Sequence, residues 1–281
     1  MTYTTGAHRP RPHAHIEVMR ATKIYLKPDG GRVVAVGDLD LSVRQGNFVA
    51  IVGSSGCGKS TLLKLIAGLI TPDRGTITIG SQPAAEGRRD VGILLQTPTL
   101  LPWKNVLANV LLPYEIRKEK SPELKELALS TLDTVGLGGF ARNYPWQLSG
   151  GMQQRVALAR LLVAKPEVAL LDEPFGALDE ITREALNLEL RDLHNRIGST
   201  TVLITHSVEE AAFLADEVVV MAGSPGRVVG TVAVDLPSQR GSELLRADAL
   251  HAAIADARQL LEAVPSPHEA QAGRRTKVSN P

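Results

Sequence analysis

Short apolar runs that suit buried strands alternate with amphipathic segments along most of the chain. Residues 48–52 are continuously apolar, which predicts a strand buried on both faces of a sheet. Leucine and isoleucine then recur at helical spacing over 59–69 and predict a helix. Other strands are predicted at 16–19, 22–25, 33–36, 39–43, 77–79, 91–95, 168–171, 201–204 and 218–221.

A block of helical periodicity interrupts this alternation between residues 97 and 164, with proline and glycine turns between its segments. Helices are predicted at 105–112, 122–135 and 151–163 within the block, and at 182–197 and 242–263 after it. The alternation of strands and helices predicts an α/β core with a helical insertion.

This pattern divides the chain into four predicted regions. They are a flexible leader at 1–15, one large domain at 16–235, a helical extension at 236–263 and a disordered tail at 264–281. Within the domain we expect a core lobe, 16–96 and 165–235, and a helical lobe, 97–164.

Composition and charge exclude several classes of protein. With 281 residues, of which 43% are hydrophobic, the chain can bury a large core. The formal net charge of +1 lacks the basic excess of proteins that bind nucleic-acid phosphates, so we expect no nucleic-acid partner. A single cysteine excludes an internal disulfide framework. No apolar run approaches the roughly 18 residues that a membrane-spanning helix needs, so any membrane part must come from a partner.

A glycine-rich loop joins the strand at 48–52 to the helix at 59–69. It matches the phosphate-binding pattern G-x-x-x-x-G-K-[ST], whose glycines let backbone N–H groups face phosphate oxygens. The alternative is a glycine-rich turn without a ligand. Lys59 would reach the β- and γ-phosphates, and Ser60 would bind Mg²⁺ through its hydroxyl. The predicted nucleotide-binding residues of this phosphate loop are Gly53, Ser54, Ser55, Gly56, Cys57, Gly58, Lys59, Ser60 and Thr61.

Two adjacent carboxylates, Asp172 and Glu173, follow the apolar run at 168–171. They would lie at the carboxyl edge of the sheet, where open α/β sheets bind ligands. Asp172 is a candidate Mg²⁺ ligand, and Glu173 a candidate general base that polarises water for attack on a γ-phosphate. Taken alone, the pair suits an ordinary strand that ends in solvated acids; together with the phosphate loop it favours the functional interpretation.

Ser149, Gly150 and Gly151 open another predicted helix. A hydroxyl residue and two glycines at a helix N-terminus can form a second anion site. A single γ-phosphate does not need two anion-binding helix starts. The second one would make sense if it completes the nucleotide site of another subunit. Taken alone, a Ser-Gly-Gly start is more often a simple helix cap.

In order and spacing, these three motifs together resemble the ATP-binding cassette (ABC) family over about residues 16–235. The resemblance implies an α/β P-loop NTPase core with an N-terminal antiparallel β region and an inserted α-helical subdomain. It also implies an ATPase that uses ATP and Mg²⁺. Because Cys57 lies on the phosphate loop, we expect alkylation of its thiol to block ATP hydrolysis, and bound ATP to protect it.

The resemblance suggests roles for other residues. Tyr25 is similar to the aromatic residue that stacks on adenine, with a half-buried strand tyrosine as the alternative. Gln96 resembles the glutamine that touches Mg²⁺ and water and links the core to the helical lobe. His206 resembles the histidine that contacts the γ-phosphate, and Asp179 lies in a loop similar to the one that communicates across a dimer. The predicted catalytic residues are Glu173, His206, Gln96 and Lys59, and the predicted metal ligands are Ser60, Gln96 and Asp172.

Met152 stands where the family signature often has glutamine. A thioether cannot replace the polar contact of an amide, so the anion contacts left are Ser149 and the backbone N–H groups of Gly150 and Gly151. The resemblance implies a head-to-tail pair, either a homodimer or two paired ATPase subunits. Each ATP would then lie between one phosphate loop and the partner's Ser149 segment.

Several stretches resemble the importer ATPases for nitrate, taurine and aliphatic sulfonates, namely 100–106, 172–179, 206–211 and 224–227. This implies a cytoplasmic subunit at the inner face of the membrane, with integral-membrane permease subunits and, indirectly, a solute-binding protein. Trp103 would contact the permease or pack in the core. The alternative is an ABC-type ATPase of DNA repair or translation. However, the spacing between Gln96 and Ser149 leaves room only for a compact helical lobe, and the chain has one cassette.

Overall fold

A computed structural model describes residues 14–85, 87–176 and 180–263. These residues form two compact units. The first unit takes its residues from 1–87, 204–236 and 245–281, and the second from 88–203 and 237–244. This division differs from the two lobes predicted above. The second unit contains the helical block, 97–164, and also residues 88–96 and 165–203, which were predicted to belong to the core lobe. The predicted tail and the leader up to residue 13 lie outside the described residues.

The strands are β1 (Ala14–Leu26), β2 (Arg32–Arg44), β3 (Phe48–Gly53), β4 (Arg74–Ile79), β5 (Gln82–Pro83), β6 (Val91–Leu94), β7 (Val168–Asp172), β8 (Thr200–Ile204), β9 (Glu217–Ala222) and β10 (Arg227–Ala233). The α-helices are α1 (Lys59–Ile66), α2 (Val106–Val110), α3 (Leu112–Arg117), α4 (Pro122–Thr134), α5 (Gly150–Val163), α6 (Glu180–Ile197), α7 (Val208–Leu214) and α8 (Asp248–Glu262). Single 3₁₀ turns lie at Gly138–Phe140, Pro145–Gln147 and Ser242–Arg246.

The first unit contains an antiparallel sheet of order β2-β1-β4-β5. The hydrophobic pattern predicts gaps between strands near residues 20 and 37, but both positions lie inside continuous strands, β1 and β2. Strand β1 also begins before the predicted start of the domain. Arg20 and Asp38 adopt left-handed backbone conformations, with φ of 49° and 50°, close to register shifts between β1 and β2. The breaks in the hydrophobic pattern therefore mark bulges, which bend a strand without ending it.

The first unit also contains strand β3, which is paired in parallel with β9, while β10 runs antiparallel to β9. The apolar residues 48–52 are all buried, as the sequence predicts. Helix α7 packs on β3, and α8 covers α7, β9 and β10. Helix α1 ends at Ile66, earlier than predicted, because Gly68 turns left-handed at φ 70° and stops the helix.

In the second unit, the strands lie in the order β8-β7-β6. Strands β6 and β7 are parallel, with Leu94 opposite Leu171. Helices α2 and α4 pack against α5, which also contacts β6. The segment 237–244 joins this unit because Arg191 and Asn195 of α6 both donate hydrogen bonds to the carbonyl of Ser238, at 3.2 and 2.6 Å.

The predicted fold class, an α/β core with an antiparallel β region and a helical insertion, is confirmed. Helices α3 and α7 and strands β5 and β10 were not predicted. Within the described parts of the chain, no helix combines the length and the apolar character that crossing a bilayer requires.

Candidate functional site

The phosphate loop of the first unit runs from the end of β3 to the start of α1. Gly58 is the N-cap of α1 with φ 92°, and Gly56 is also left-handed. A Cβ atom at Gly53 would lie 2.1 Å from the carbonyl oxygen of Met221, and one at Gly58 would lie 2.5 Å from that of Ala35. Larger residues do not fit at either position, so close packing against β9 and β2 fixes the path of the loop.

Lys59 is the first residue of α1 and is only 8% exposed. Its Nζ donates hydrogen bonds to the carbonyl oxygens of Gly53 at 2.8 Å and Ser54 at 3.0 Å. The ammonium group therefore lies over the loop itself, where its charge is compensated by loop carbonyls. Ser54, Ser55 and Ser60 are exposed beside it. The backbone N–H groups of a helix start and an ammonium group are both groups that attract an anion, so this arrangement suits the predicted phosphate site.

Cys57 has its side chain behind this loop. The residue is 2% exposed, and its Sγ lies 4.0 Å from Lys59 Nζ. This burial argues against the expectation that alkylation of Cys57 blocks ATP hydrolysis, because the backbone turn that exposes Gly56 directs the side chain of Cys57 into the interior. Cys57 can meet a ligand only through its backbone, and its N–H already donates to the carbonyl of Ser54 at 3.3 Å.

His206 lies in a short turn that leads into α7. The preceding Thr205 donates its N–H to the carbonyl of Ile51 in β3 at 3.2 Å. This bond holds the turn next to the strand that leads into the phosphate loop. His206 itself is exposed, while Thr205 is 2% exposed. The first unit thus places the imidazole one residue away from a contact with β3, the strand that leads into the phosphate loop.

Tyr25 lies on β1 of the first unit and is 40% exposed. The Nζ of Lys23 lies 6.0 Å from the centroid of its ring. Lys23 also pairs with Asp73 at 3.4 Å. The pKa of Asp73 is lowered, first by a hydrogen bond from the Ile24 N–H and then by Lys23. The ring therefore has the solvent access that adenine stacking requires, and the role of Tyr25 stays a prediction.

In the second unit, Gln96 and the two carboxylates lie at the carboxyl ends of β6 and β7. Asp172 ends β7 and is 5% exposed. The side-chain amide of Gln96 donates to Glu173 Oε2 at 3.0 Å. Glu173 has a left-handed backbone, with φ 48°, which is unusual for a residue with a side chain. The structure therefore brings Gln96 and Glu173 together at one strand edge.

Ser149 is the N-cap of α5, and its hydroxyl accepts a hydrogen bond from the N–H of Met152 at 3.3 Å. A Cβ atom on Gly150 would meet nothing within 4 Å, so the helix start is open to its surroundings. Gly151 and Met152 are half-buried. The cap anticipated from the sequence is present, and the helix end remains accessible to an anion.

Two residues of α5 that the sequence did not single out tie the helix to the segment that carries Gln96. Gln154, 4% exposed, donates to the carbonyl of Leu95 at 3.3 Å. Arg160 donates to the carbonyl of Thr99 at 2.8 Å, and burial lowers the pKa of its guanidinium. No pattern in the sequence reveals these contacts, because a polar residue on a helix usually faces water.

Trp103 is 70% exposed, which excludes the core-packing alternative. Its loop is fixed by the fully buried Asn109, whose side chain bonds to the N–H and carbonyl of Leu101 and to the carbonyl of Lys104. Trp146, 66% exposed, stacks on Tyr144 with ring centroids 4.6 Å apart. Asp179 lies outside the described residues.

Comparison with known proteins identifies the family. A family model described as ABC transporter matches residues 36–176, half of the chain. The chain belongs to the ABC transporter family. The resemblance drawn from the motifs is therefore confirmed, and this ABC protein is an ATPase that binds and hydrolyses ATP.

Relatives of this ABC ATPase include import proteins. It is 42% identical over 209 residues to the taurine import ATP-binding protein TauB of Yersinia pestis, covering 74% of this chain and 82% of that protein. It is 43% identical over 215 residues to the nitrate import ATP-binding protein NrtD of Synechococcus elongatus, covering 76% and 78%. A solved dimeric ATP-binding cassette in a post-hydrolysis state with ADP and Pi matches with a TM-score of 0.71 and 32% identity, covering 80% of this chain and 99% of that one.

Proposed function

We propose that this ABC ATPase is the ATP-hydrolysing subunit of an importer for a solute of the nitrate, taurine or sulfonate type, and that it drives a separate membrane permease. The contact of Gln96 with Glu173 at a strand edge is the observation that carries the catalytic part. The similarity to TauB and NrtD supports the importer class.

The residues of the first unit bind ATP in this proposal. The backbone N–H groups of the phosphate loop and the ammonium of Lys59 bind the β- and γ-phosphates. When nucleotide binds, phosphate oxygens take the place of the loop carbonyls that now accept from Lys59. Tyr25 stacks on the adenine, and His206 donates a hydrogen bond to the γ-phosphate.

Hydrolysis depends on Glu173. Its carboxylate accepts a proton from a water molecule as that water attacks the γ-phosphorus, and the bond to the bridging oxygen of ADP breaks. The amide of Gln96 donates to Glu173 Oε2 and holds the carboxylate at the strand edge, where it orients the water. A positioned general base contributes about 10²- to 10⁴-fold to the rate.

The residues present fit Mg²⁺, which neutralises phosphate charge when bound. Among the described residues, no three His, Cys, Asp or Glu side chains group together. Mg²⁺ suits such a site, because it is usually held by one or two protein oxygens together with substrate phosphates and water. Ser60 would offer its hydroxyl, Asp172 its carboxylate and Gln96 its amide oxygen.

Two ATPase subunits pair head to tail in this proposal, as a homodimer or with a second ATPase chain. Ser149, Gly150 and Gly151 of one copy face the ATP bound by the other, and Asp179 communicates between them. The dimeric cassette with ADP and Pi supports this arrangement. The pair lies at the cytoplasmic face of the membrane, where Trp103 contacts the permease. A solute-binding protein delivers the solute to the permease and is thus an indirect partner.

Co-purification tests the transport class. The full-length chain is expressed with its neighbouring permease and binding protein, purified through a tag on the chain, and reconstituted in proteoliposomes. We expect the permease to co-purify, and nitrate, taurine or an alkanesulfonate to stimulate ATP hydrolysis. Co-purification with DNA or ribosomes and no permease would instead support the DNA-repair or translation class.

A further inference from the structure

The turn that carries His206 is closed by hydrogen bonds on both sides of the histidine. The N–H of Ser207 donates to the hydroxyl of Thr205 at 3.1 Å, across His206. Thr205 is also bonded through its own N–H to Ile51 of β3. The backbone on either side of the imidazole is therefore restrained by one buried hydroxyl group.

Glu210 holds that hydroxyl in place. It lies in the first turn of α7, is 7% exposed, and accepts a hydrogen bond from the Thr205 hydroxyl through Oε2. Its own N–H donates to the hydroxyl of Ser207 at 3.1 Å. Glu210 thus contacts both neighbours of His206. A buried carboxyl group carries a desolvation cost, and the catalytic scheme above gives it no role.

We propose that Glu210 is a positioning residue for His206, acting through the hydroxyl of Thr205. The inference rests on the proposed contact of His206 with the γ-phosphate. Glu210 accepts the hydrogen bond of the Thr205 hydroxyl and so orients it. The hydroxyl oxygen in turn accepts a hydrogen bond from the N–H of Ser207. The turn closed in this way holds the imidazole in one orientation. Without this restraint the imidazole samples several orientations, and the γ-phosphate contact forms in only a fraction of them.

The adjacent Glu209 provides a matched control. It also lies in the first turn of α7, but its side chain is 54% exposed and pairs with Arg258 of α8. It accepts a hydrogen bond from the Ser207 hydroxyl at 3.0 Å and contributes nothing to the bond across His206. An exposed pair of this kind contributes little to stability. Comparing the same substitution at 209 and 210 therefore separates the effect of the buried contact between Glu210 and Thr205 from that of the exposed contacts of Glu209.

The experiment measures ATP hydrolysis and ATP affinity in the full-length chain. Thr205→Val removes the hydroxyl at nearly constant volume, Thr205→Ser restores it, and Glu210→Leu removes the acceptor. We expect Thr205→Val and Glu210→Leu to lower kcat about tenfold, which corresponds to about 1.4 kcal/mol. ATP affinity should stay within about twofold, because the phosphate loop is unchanged. Thr205→Ser and Glu209→Leu should retain more than about half of kcat.

A double-mutant cycle with His206→Ala tests whether the effect passes through the histidine. When Thr205→Val or Glu210→Leu is added to His206→Ala, kcat should fall by less than about twofold relative to His206→Ala alone. Equal losses with and without His206 would overturn the proposal, since they indicate a general structural role. Thermal melting and ATP affinity report whether each variant is folded. If Glu210→Leu does not fold, Thr205→Val decides the question alone.

The controls also separate the two proposals. If His206→Ala hydrolyses ATP at the normal rate, the proposed role of His206 is wrong, and the positioning role falls with it. If His206→Ala is slow but Thr205→Val is normal, only the positioning role is wrong.

Discussion

The phosphate loop of the first unit and the β6–β7 edge of the second offer ligand groups of different kinds. In the loop, the groups are backbone amides and one ammonium, placed by glycines that pack against neighbouring carbonyl oxygens. At the strand edge, the groups are the side chains of Gln96 and Glu173, placed by a hydrogen bond between them. Ligand binding by the loop therefore depends on the shape of the backbone, whereas the chemistry at the strand edge depends on the functional groups of the two side chains.

This difference predicts how each region fails. A change of bulk in the loop moves the amides away from the phosphates, so ATP affinity falls. A change of functional group at the edge leaves the shape intact but removes the base, so turnover falls while affinity persists. Each of the following predictions tests one side of that contrast.

The largest effect is expected for Glu173→Gln. The amide keeps the volume and can still accept from Gln96, but it cannot accept a proton from water. We expect kcat to fall about 10²- to 10⁴-fold, with ATP affinity nearly unchanged and a nucleotide-bound dimer accumulating. Phosphate release and nucleotide titration measure the two quantities. Glu167→Gln, at the exposed residue before the other end of β7, is the control. Normal hydrolysis by Glu173→Gln would remove it from the catalytic role.

Lys59→Ala should act on binding. Hydrogen bonds from charged groups contribute about 1.5–3 kcal/mol, so we expect the Kd for ATP to rise about ten- to a hundredfold. Lys64→Ala, in the last turn of the same helix and exposed, should leave the Kd unchanged. Equal ATP affinity in the Lys59 variant and the unmodified chain would contradict the assignment of the phosphate loop.

Gly53→Ala tests the role of shape alone, because it adds one methyl group and no charge. Its Cβ would lie 2.1 Å from the carbonyl oxygen of Met221, so the loop must move. Overpacking of this kind costs about 1–3 kcal/mol, and we expect ATP affinity to fall about tenfold or more. Gly139→Ala, where a Cβ has nothing within 4 Å, is the control. A normal Kd for Gly53→Ala would show that the loop tolerates added bulk.

The smallest effect concerns Cys57. Because the thiol is 2% exposed, we expect a maleimide reagent to modify the native chain slowly, both with and without ATP. In denaturant the same thiol should react quickly, which mass spectrometry can follow. Rapid labelling of the native chain that ATP prevents would restore the expectation drawn from the sequence.

The sequence predicts best where a pattern is fixed by local chemistry. Residues 48–52, followed by the glycine-rich loop, define β3 and the start of α1 because burial on both faces and phosphate binding each demand particular residues. The carboxylates at the carboxyl end of β7 are predicted for a similar reason. The parallel pairing of β6 with β7 then brings Gln96 to Glu173, although the two lie far apart along the chain.

Other elements were missed because neighbours, and not local sequence, create them. Helix α7 is short and buried on most sides, so it has no polar face to show helical periodicity. Strand β10 has one buried residue, Val232, and exists through its pairing with β9. The contacts of Gln154 and Glu210 depend on backbone and hydroxyl groups supplied by distant segments, which no single-chain pattern records.

The exposed positions of Trp103 and Trp146 give the protein a built-in optical probe. These are the two tryptophans of the chain, and both belong to the second unit. Intrinsic tryptophan fluorescence therefore reports on the second unit alone. A change in emission when nucleotide is added would show that nucleotide binding alters the surroundings of a tryptophan in the second unit.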